Sequence, residues 1–300
     1  MIRYAATEAE IEAGVNALDE NWLTNAQTRT DAFVAGGRYD ETGPIWSKVK
    51  PVFMALQYNK CIFCERQYEN VEDYGKIEFD LEHFRPKSSV KSWPGTDQAG
   101  LNYGFPTGGA DARGYYWLAY KLGNYAASCK SCNSDLKSNY FPVEGARLPA
   151  LASPQDLLGE LPLLCYPLGD WDEDPEALVT FVATTAVPAV QEESHSRRRG
   201  QVIIDLFQLN DREVLHRERA RMIILLGGSL RNIEAGVDDP EDHELVNELA
   251  TRPVYPHAGC LRAFQRLWDA PGQRPLAHQV LRACKAYVAS QTGTPPPQIG

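Results

Sequence analysis

The sequence predicts an α+β chain, mainly helical, with a zinc-stabilised module embedded in a helical frame. Three observations carry that reading. Two Cys-x-x-Cys pairs, Cys61/Cys64 and Cys129/Cys132, lie far apart in the chain. A short alternating run, Ile77, Phe79 and Leu81, ends on Glu82-His83. Helix-period patterns fill most of the chain after residue 195.

Thr7-Glu8-Ala9-Glu10 places a hydroxyl three residues before a carboxylate, a helix-start pattern, and Ile11, Val15 and Leu18 follow at helical spacing, so a helix is expected over 7–22. Val49, Val52, Phe53 and Leu56 share one face of a second helix over Trp46–Leu56, which delivers the chain to the first cysteine pair. Lys76–Phe84 reads as a strand stopped by Pro86. Ser92–Gly114, rich in Gly and carrying Pro94 and Pro106, reads as a long inserted loop. Tyr115–Tyr120 starts a helix, with Trp117, Leu118 and Tyr120 packed in the core, and Asn133–Tyr140 is a short helix. Residues 145–190 form a mixed insert with a strand at Val179–Val182 and an acidic, solvated run at 170–174. Helices follow at 195–209, 211–230, 241–251, 257–269 and 275–290, and the Pro-rich tail is disordered. The division is 1–57 helical, 58–143 metal-held core, 144–291 mixed then helical, and 292–300 tail.

Hydrophobic content of 43% and charged content of 23% suit a globular chain of one large or two ordinary domains. Apolar runs such as Met222–Leu226 are too short to span a bilayer, and the N-terminus lacks a basic, then apolar, leader. A cytoplasmic protein without membrane partners is expected. Seven cysteines argue against a full disulfide framework, so the paired spacing reads as metal binding. Cys165, Cys260 and Cys284 read as small buried hydrophobes.

The net charge of −10 opposes general affinity for nucleic acid, which Lys and Arg drive. Any such binding needs a local patch. The candidates are Arg85, Lys87 and Lys91, then Arg197–Arg199 with Arg212, Arg217, Arg219 and Arg221. Lys137 is a further candidate phosphate contact. Arg197–Arg199 read more simply as a solvated helix start. Trp93 and the 115–120 aromatics are candidates for stacking on a base, with packing the simpler role.

Four thiolates make a closed tetrahedral zinc site that leaves no position for water, so this zinc is structural. Beside it stand the parts of a hard-metal site. Glu82 and the amide oxygen of Asn133 are oxygen donors for Mg²⁺ or Mn²⁺, and Asp80, on the strand face of Glu82, is either an ordinary solvated carboxylate or a third ligand or support. With Glu82 turned to the metal, the adjacent imidazole of His83 can take a proton from water. His195, His216, His243, His257 and His278 have no ligand-like spacing and receive no role.

The order Cys-x-x-Cys, Glu-His-x-x-Pro, Asn, Cys-x-x-Cys-Asn-x-x-x-Lys resembles the HNH endonucleases with a ββα-metal core. Leu81–Lys87, Tyr116–Tyr120, Ser128–Asn133 and Phe141-Pro142 look like the HNH proteins of Septu-type and retron-linked phage-defence systems. The strong likeness covers about residues 58 to 143, with a weaker echo in Ile203–Arg221. The resemblance implies His83 as general base, Glu82 in a place usually held by Asp, and Asn133 as second metal ligand. It also implies that Asn124 braces the loop bearing the base. The long interval from Pro86 to Asn124 departs from compact members.

The expected activity is metal-dependent hydrolysis of DNA in anti-phage defence, leaving 5′-phosphate and 3′-hydroxyl ends, as the resemblance implies. Cleavage of RNA is the nearest enzymatic alternative. A catalytically dormant, zinc-scaffolded adaptor is the rival from another class, and the acidic net charge favours it. The same resemblance implies an ABC-class ATPase partner, since the sequence has no Gly-x-x-x-x-Gly-Lys-Ser/Thr of its own.

Overall fold

The structure is a computed structural model that describes residues 1–67, 78–98, 100–153, 156–237 and 239–290. It is α+β and about half helical, with two small antiparallel sheets among the described residues. The chain forms two compact units. One holds Tyr4–Ile62 and the chain up to Glu173; the other holds Met1–Arg3, Phe63–Gln67 and the chain from Asp174 onward. The later boundary thus falls at 173/174, against 143/144 in the sequence division. The expected disordered tail and residues 76–77 of the expected strand lie outside the described residues.

In the first unit, α1 (Glu8–Leu18) starts as its sequence dictates. The Thr7 hydroxyl accepts from the Glu10 amide at 3.2 Å, and the Thr7 amide donates to the Glu10 carboxylate at 2.7 Å. That reciprocal cap contributes about 1 kcal/mol. The helix ends at Leu18, short of the expected residue 22, and a second helix that the sequence reading lacked, α2 (Trp22–Gly36), follows at once. Only Trp22, Ala26 and Phe33 are buried on α2, so its apolar stripe is thin and its periodicity weak. The expected helix over Trp46–Leu56 is a 3-10 turn over Trp46–Val49 leading into α3 (Lys50–Leu56), where Pro51 sits in the first turn and needs no amide partner.

Two strands follow, β1 (Phe79–His83) and β2 (Tyr125–Cys129), paired antiparallel with Phe79 opposite Cys129 and His83 opposite Tyr125. β2 is wholly buried although Ala126, Ala127 and Ser128 are poor strand formers. The aromatic run expected to start a helix gives only a 3-10 turn over Tyr116–Leu118. Its side chains diverge to separate partners: Tyr115 to Glu160, Trp117 to the Ala152 carbonyl and Tyr120 to Glu41. Gly114 brings this run against the loop after β1. It has φ +60°, and a Cβ there would sit 2.7 Å from the Pro86 carbonyl oxygen. The second cysteine pair opens into a π-helical turn, Ser131–Lys137, closed where the Ser138 amide donates to the Asn133 carbonyl at 2.7 Å. Ser138, at φ 45°, ends it.

The second unit opens on α4 (Pro175–Leu178) and the hairpin β3 (Val179–Val182) and β4 (Thr185–Pro188). Five helices match the periodicity of the sequence: α5 (His195–Leu206), α6 (Glu213–Glu234), α7 (Pro240–Thr251), α8 (Ala258–Asp269) and α9 (Arg274–Ser290). Ser194 and Asp239 cap α5 and α7 through their side-chain oxygens. The core joins Ile223, Leu226 and Leu230 of α6 to Phe264 and Trp268 of α8 and Leu281 of α9. Cys260 and Cys284 lie inside it as the small hydrophobes expected, and burial pushes each thiol up to about 12. Gly227 lets α9 come close, since a Cβ there would sit 2.8 Å from Leu281. No helix among the described residues is long and apolar enough to cross a membrane.

Candidate metal centre and catalytic cleft

The register of the β1/β2 pair places two groups at opposite ends of one hairpin. At the Phe79 end, Cys129 closes β2 and Cys132 is the second residue of the π-helical turn. Cys61 and Cys64 occupy a turn tied to β2, where the Ile62 amide donates to the Ala127 carbonyl at 3.1 Å. All four sulfurs are buried and lie within 4.8 Å of one another. A buried set of four thiols in mutual reach is able to hold a metal ion, and its chemistry suits zinc.

At the other end of β1, His83 turns into the wall of a cleft of about 470 Å³. Its ring stands edge-on to Trp46 and to Tyr125, each at 5.1 Å between centroids. Its Nε2 lies 3.0 Å from the Ala119 carbonyl oxygen. A carbonyl only accepts, so the proton sits on Nε2 and Nδ1 keeps its lone pair. Burial holds the imidazole well below its ordinary range, with the ammoniums of Lys87 and Lys137 acting the same way. His83 is therefore held as the neutral imidazole.

Glu82, Asp80 and Asn133 line the same cleft. Glu82 is 4% exposed, and burial raises its carboxyl above the ordinary range against the pull of Lys137. Lys87 is a half-buried cation of the cleft, its ammonium 4.4 Å from the Trp46 ring centroid and 5.3 Å from that of Tyr39. Burial lowers the Lys87 ammonium, and Glu82 opposes that shift.

Asn124 stands behind the cleft. Its side-chain oxygen accepts from the Arg85 amide at 2.8 Å, while its Nδ2 donates to the Arg85 and Leu118 carbonyls at 3.0 and 3.2 Å. With the Phe84 amide on the Asn124 carbonyl at 2.8 Å, the side chain fastens the segment that leaves His83.

Two expected phosphate contacts are placed elsewhere. Arg85 is buried, paired with Glu160, bonded to the Leu157 carbonyl and stacked near Tyr115 and Phe141. Lys137 has no exposed side-chain surface and reaches the Glu82 carboxylate and the His83 carbonyl. Both charges point inward, because the buried carboxylates Glu160 and Glu82 need them there. Trp93 is also buried, against Tyr140, and forms no open stacking platform. In the second unit Arg219 is buried on the Thr184 and Leu209 carbonyls and Arg217 pairs with Glu213, so the proposed arginine patch is not one continuous surface. His216 and His257 are buried within that unit's own hydrogen bonds.

Sequence reasoning missed the other half of the cleft. Trp46 and Lys50 line it, and the Ala119 carbonyl fixes the His83 tautomer. A lone Trp after Gly-Pro carries no motif, and a backbone carbonyl carries no sequence signal at all.

The chain is similar to the Septu protein PtuB of Bacillus mycoides (strain KBAB4), at 34% identity over 174 residues. That match covers 58% of this chain and 50% of the relative, so the chain spans about half the length of the curated relative it matches. No family model matches the chain, and no solved structure matches it.

Proposed function

We propose that this chain is a metal-dependent endonuclease of the HNH type, hydrolysing phosphodiester bonds of DNA within an anti-phage defence system. The observation that carries the reading is the neutral His83, its proton held on Nε2 by Ala119, in one cleft with Glu82, Asn133 and Lys87. The hairpin followed by a helical turn, and the similarity to PtuB, support it.

His83 takes a proton from water through its free nitrogen. Glu82 and Asn133, with Asp80 beside them, form an all-oxygen donor set that fits a hard cation such as Mg²⁺ or Mn²⁺. Such an ion, when bound, supplies positive charge for the phosphoryl and leaving oxygens. Lys87 lies where it can meet a phosphate, and Asn124 keeps the segment after His83 in place. Zinc on the four cysteines holds the hairpin to the Cys61–Cys64 turn. The resemblance to Septu-type systems extends the proposal to an ABC-class ATPase partner.

Nicking of plasmid DNA and of RNA with Mg²⁺ or Mn²⁺, by the wild type and by His83→Ala, alone and with that ATPase, tests the reading. Loss of cleavage in His83→Ala supports it, and equal cleavage by both removes His83 from the chemistry. RNA cut in preference to DNA would favour the alternative substrate. A second reading, the dormant zinc-scaffolded adaptor, draws on the Lys137 ammonium already seated on Glu82 and on the net charge of −10. Absence of cleavage by either protein in every condition would favour it.

A further inference from the structure

We propose that Lys137 is the resident countercation of Glu82: a buried ammonium that holds this carboxylate in place and lowers its affinity for a divalent ion. The inference rests on the reading of Glu82 as an oxygen ligand. Neither side chain has room for an alternative partner in water, since Lys137 is 0% and Glu82 5% exposed. The ammonium meets Glu82 Oε1 and donates to the His83 carbonyl at 3.1 Å. One cation thus ties down two successive residues of β1, a metal ligand and the base.

The turn that carries Lys137 explains its aim. Closure from residue i to i+5 sets Asn133 and Ser138 together on the cleft, and Cys132 and Lys137 together on the buried side. A regular α-helix spaces these pairs differently, so the π-helical geometry is what sends the lysine inward while Asn133 faces outward. An ammonium buried at this depth requires a charged partner, and the carboxylate requires one equally. A divalent ion arriving at Glu82 meets a carboxylate whose charge is already answered. Lys137 is accordingly a positioning residue, with the phosphate left to Lys87.

The test uses the full chain with its zinc content verified. Mn²⁺ binding is followed by calorimetry and by the rise in thermal midpoint, for the wild type, Lys137→Met and Lys137→Arg. Lys137→Met is expected to bind Mn²⁺ about tenfold tighter, the lower end of what groups behind a ligand change. It should also melt lower without Mn²⁺ and gain more from it, whereas Lys137→Arg stays near the wild type. Equal Mn²⁺ binding by wild type and Lys137→Met, including none by either, overturns the proposal. If Lys137→Met does not fold, the double variant Glu82→Gln/Lys137→Met decides: a cooperative thermal transition in the double variant supports the pairing, and its failure to fold overturns it. Plasmid cleavage run alongside separates the two readings. Tighter Mn²⁺ binding without any cleavage sinks the nuclease and leaves the countercation. Cleavage with an unchanged isotherm does the reverse.

Discussion

The Nε2 of His83 donates to the carbonyl oxygen of Ala119 across 3.0 Å, and this bond decides which ring nitrogen is basic. Ala119 lies in the aromatic segment between the two strands, so the long insertion after Pro86 returns to supply the partner of the His83 ring. Under the proposed function, His83→Asn should lower metal-dependent cleavage by about 10²–10⁴, the usual share of a general base. Burial depresses the imidazole, so the rate should stay level down through its ordinary pKa and fall only at lower pH. A rate that rises with its midpoint at the ordinary histidine value of 6.5 would contradict this assignment. Initial rates on a nicked-plasmid assay across pH provide the measurement.

Asn124 offers a test that needs no substrate. Replacing it with Ala leaves the buried Arg85 amide and the Arg85 carbonyl without the Asn124 side chain, while the Leu118 carbonyl keeps the Lys121 amide. Each of the two orphaned groups costs about 1–3 kcal/mol, so a loss of roughly 2 kcal/mol or more is expected in urea unfolding. Asn124→Asp should be no better despite equal size. It keeps the acceptor for Arg85 and turns two donors into an oxygen facing two carbonyls.

The four-cysteine cluster predicts one bound zinc, lost on replacing any one of Cys61, Cys64, Cys129 or Cys132 by Ser. Structural zinc contributes on the order of 10 kcal/mol in comparable sites, so strong chelators should unfold the unit that holds β1 and β2. Cys165→Ser, Cys260→Ser and Cys284→Ser should keep their zinc. Elemental analysis of the purified variants checks both halves of the claim.

The acid side of the stability curve has a named contributor in His216. Its Nε2 donates to the Asn210 carbonyl at 2.7 Å, so its Nδ1 accepts from the Thr184 hydroxyl at 2.8 Å. Burial holds it below its ordinary value of 6.5. Below that pH the unfolded chain takes up a proton that the fold refuses, so stability is present above it and drains as pH falls. His216→Gln should flatten the decline in denaturation midpoint between about pH 7.5 and pH 5.5. A decline as steep as that of the wild type would exclude His216 as its source.

How much of this was readable without coordinates follows from the range of the forces involved. Cysteine pairs three apart and a Glu-His step are local, and the α5 to α9 periodicities repeat over several turns, so these stood out. α2 did not, because three buried residues in fifteen leave almost no stripe. β2 did not, because its small residues are strand only through full burial beside β1. Charge was the least legible property. Arg85 and Lys137 look like surface cations in a list of residues, and only the long-range partners Glu160 and Glu82 show that they face inward.

That difference in placement separates Arg85 from Lys87, two positions along. Arg85→Ala removes the cation paired with the Glu160 carboxylate, which has no exposed side-chain surface, and should destabilise by about 3–5 kcal/mol although the Tyr115 hydroxyl and Leu148 amide still donate to it. Lys87→Ala removes a half-buried cleft cation that lies against the faces of Trp46 and Tyr39 in the field of Glu82. It should leave the unfolding midpoint within about 0.5 kcal/mol of the wild type. If Lys87 meets phosphate, the variant should weaken binding evenly across sequences and reduce the slope of log affinity against log salt by about 1. Fluorescence anisotropy with a labelled duplex at several salt concentrations reads this directly. An unchanged slope in Lys87→Ala would move the phosphate contact to Lys50 or Lys91.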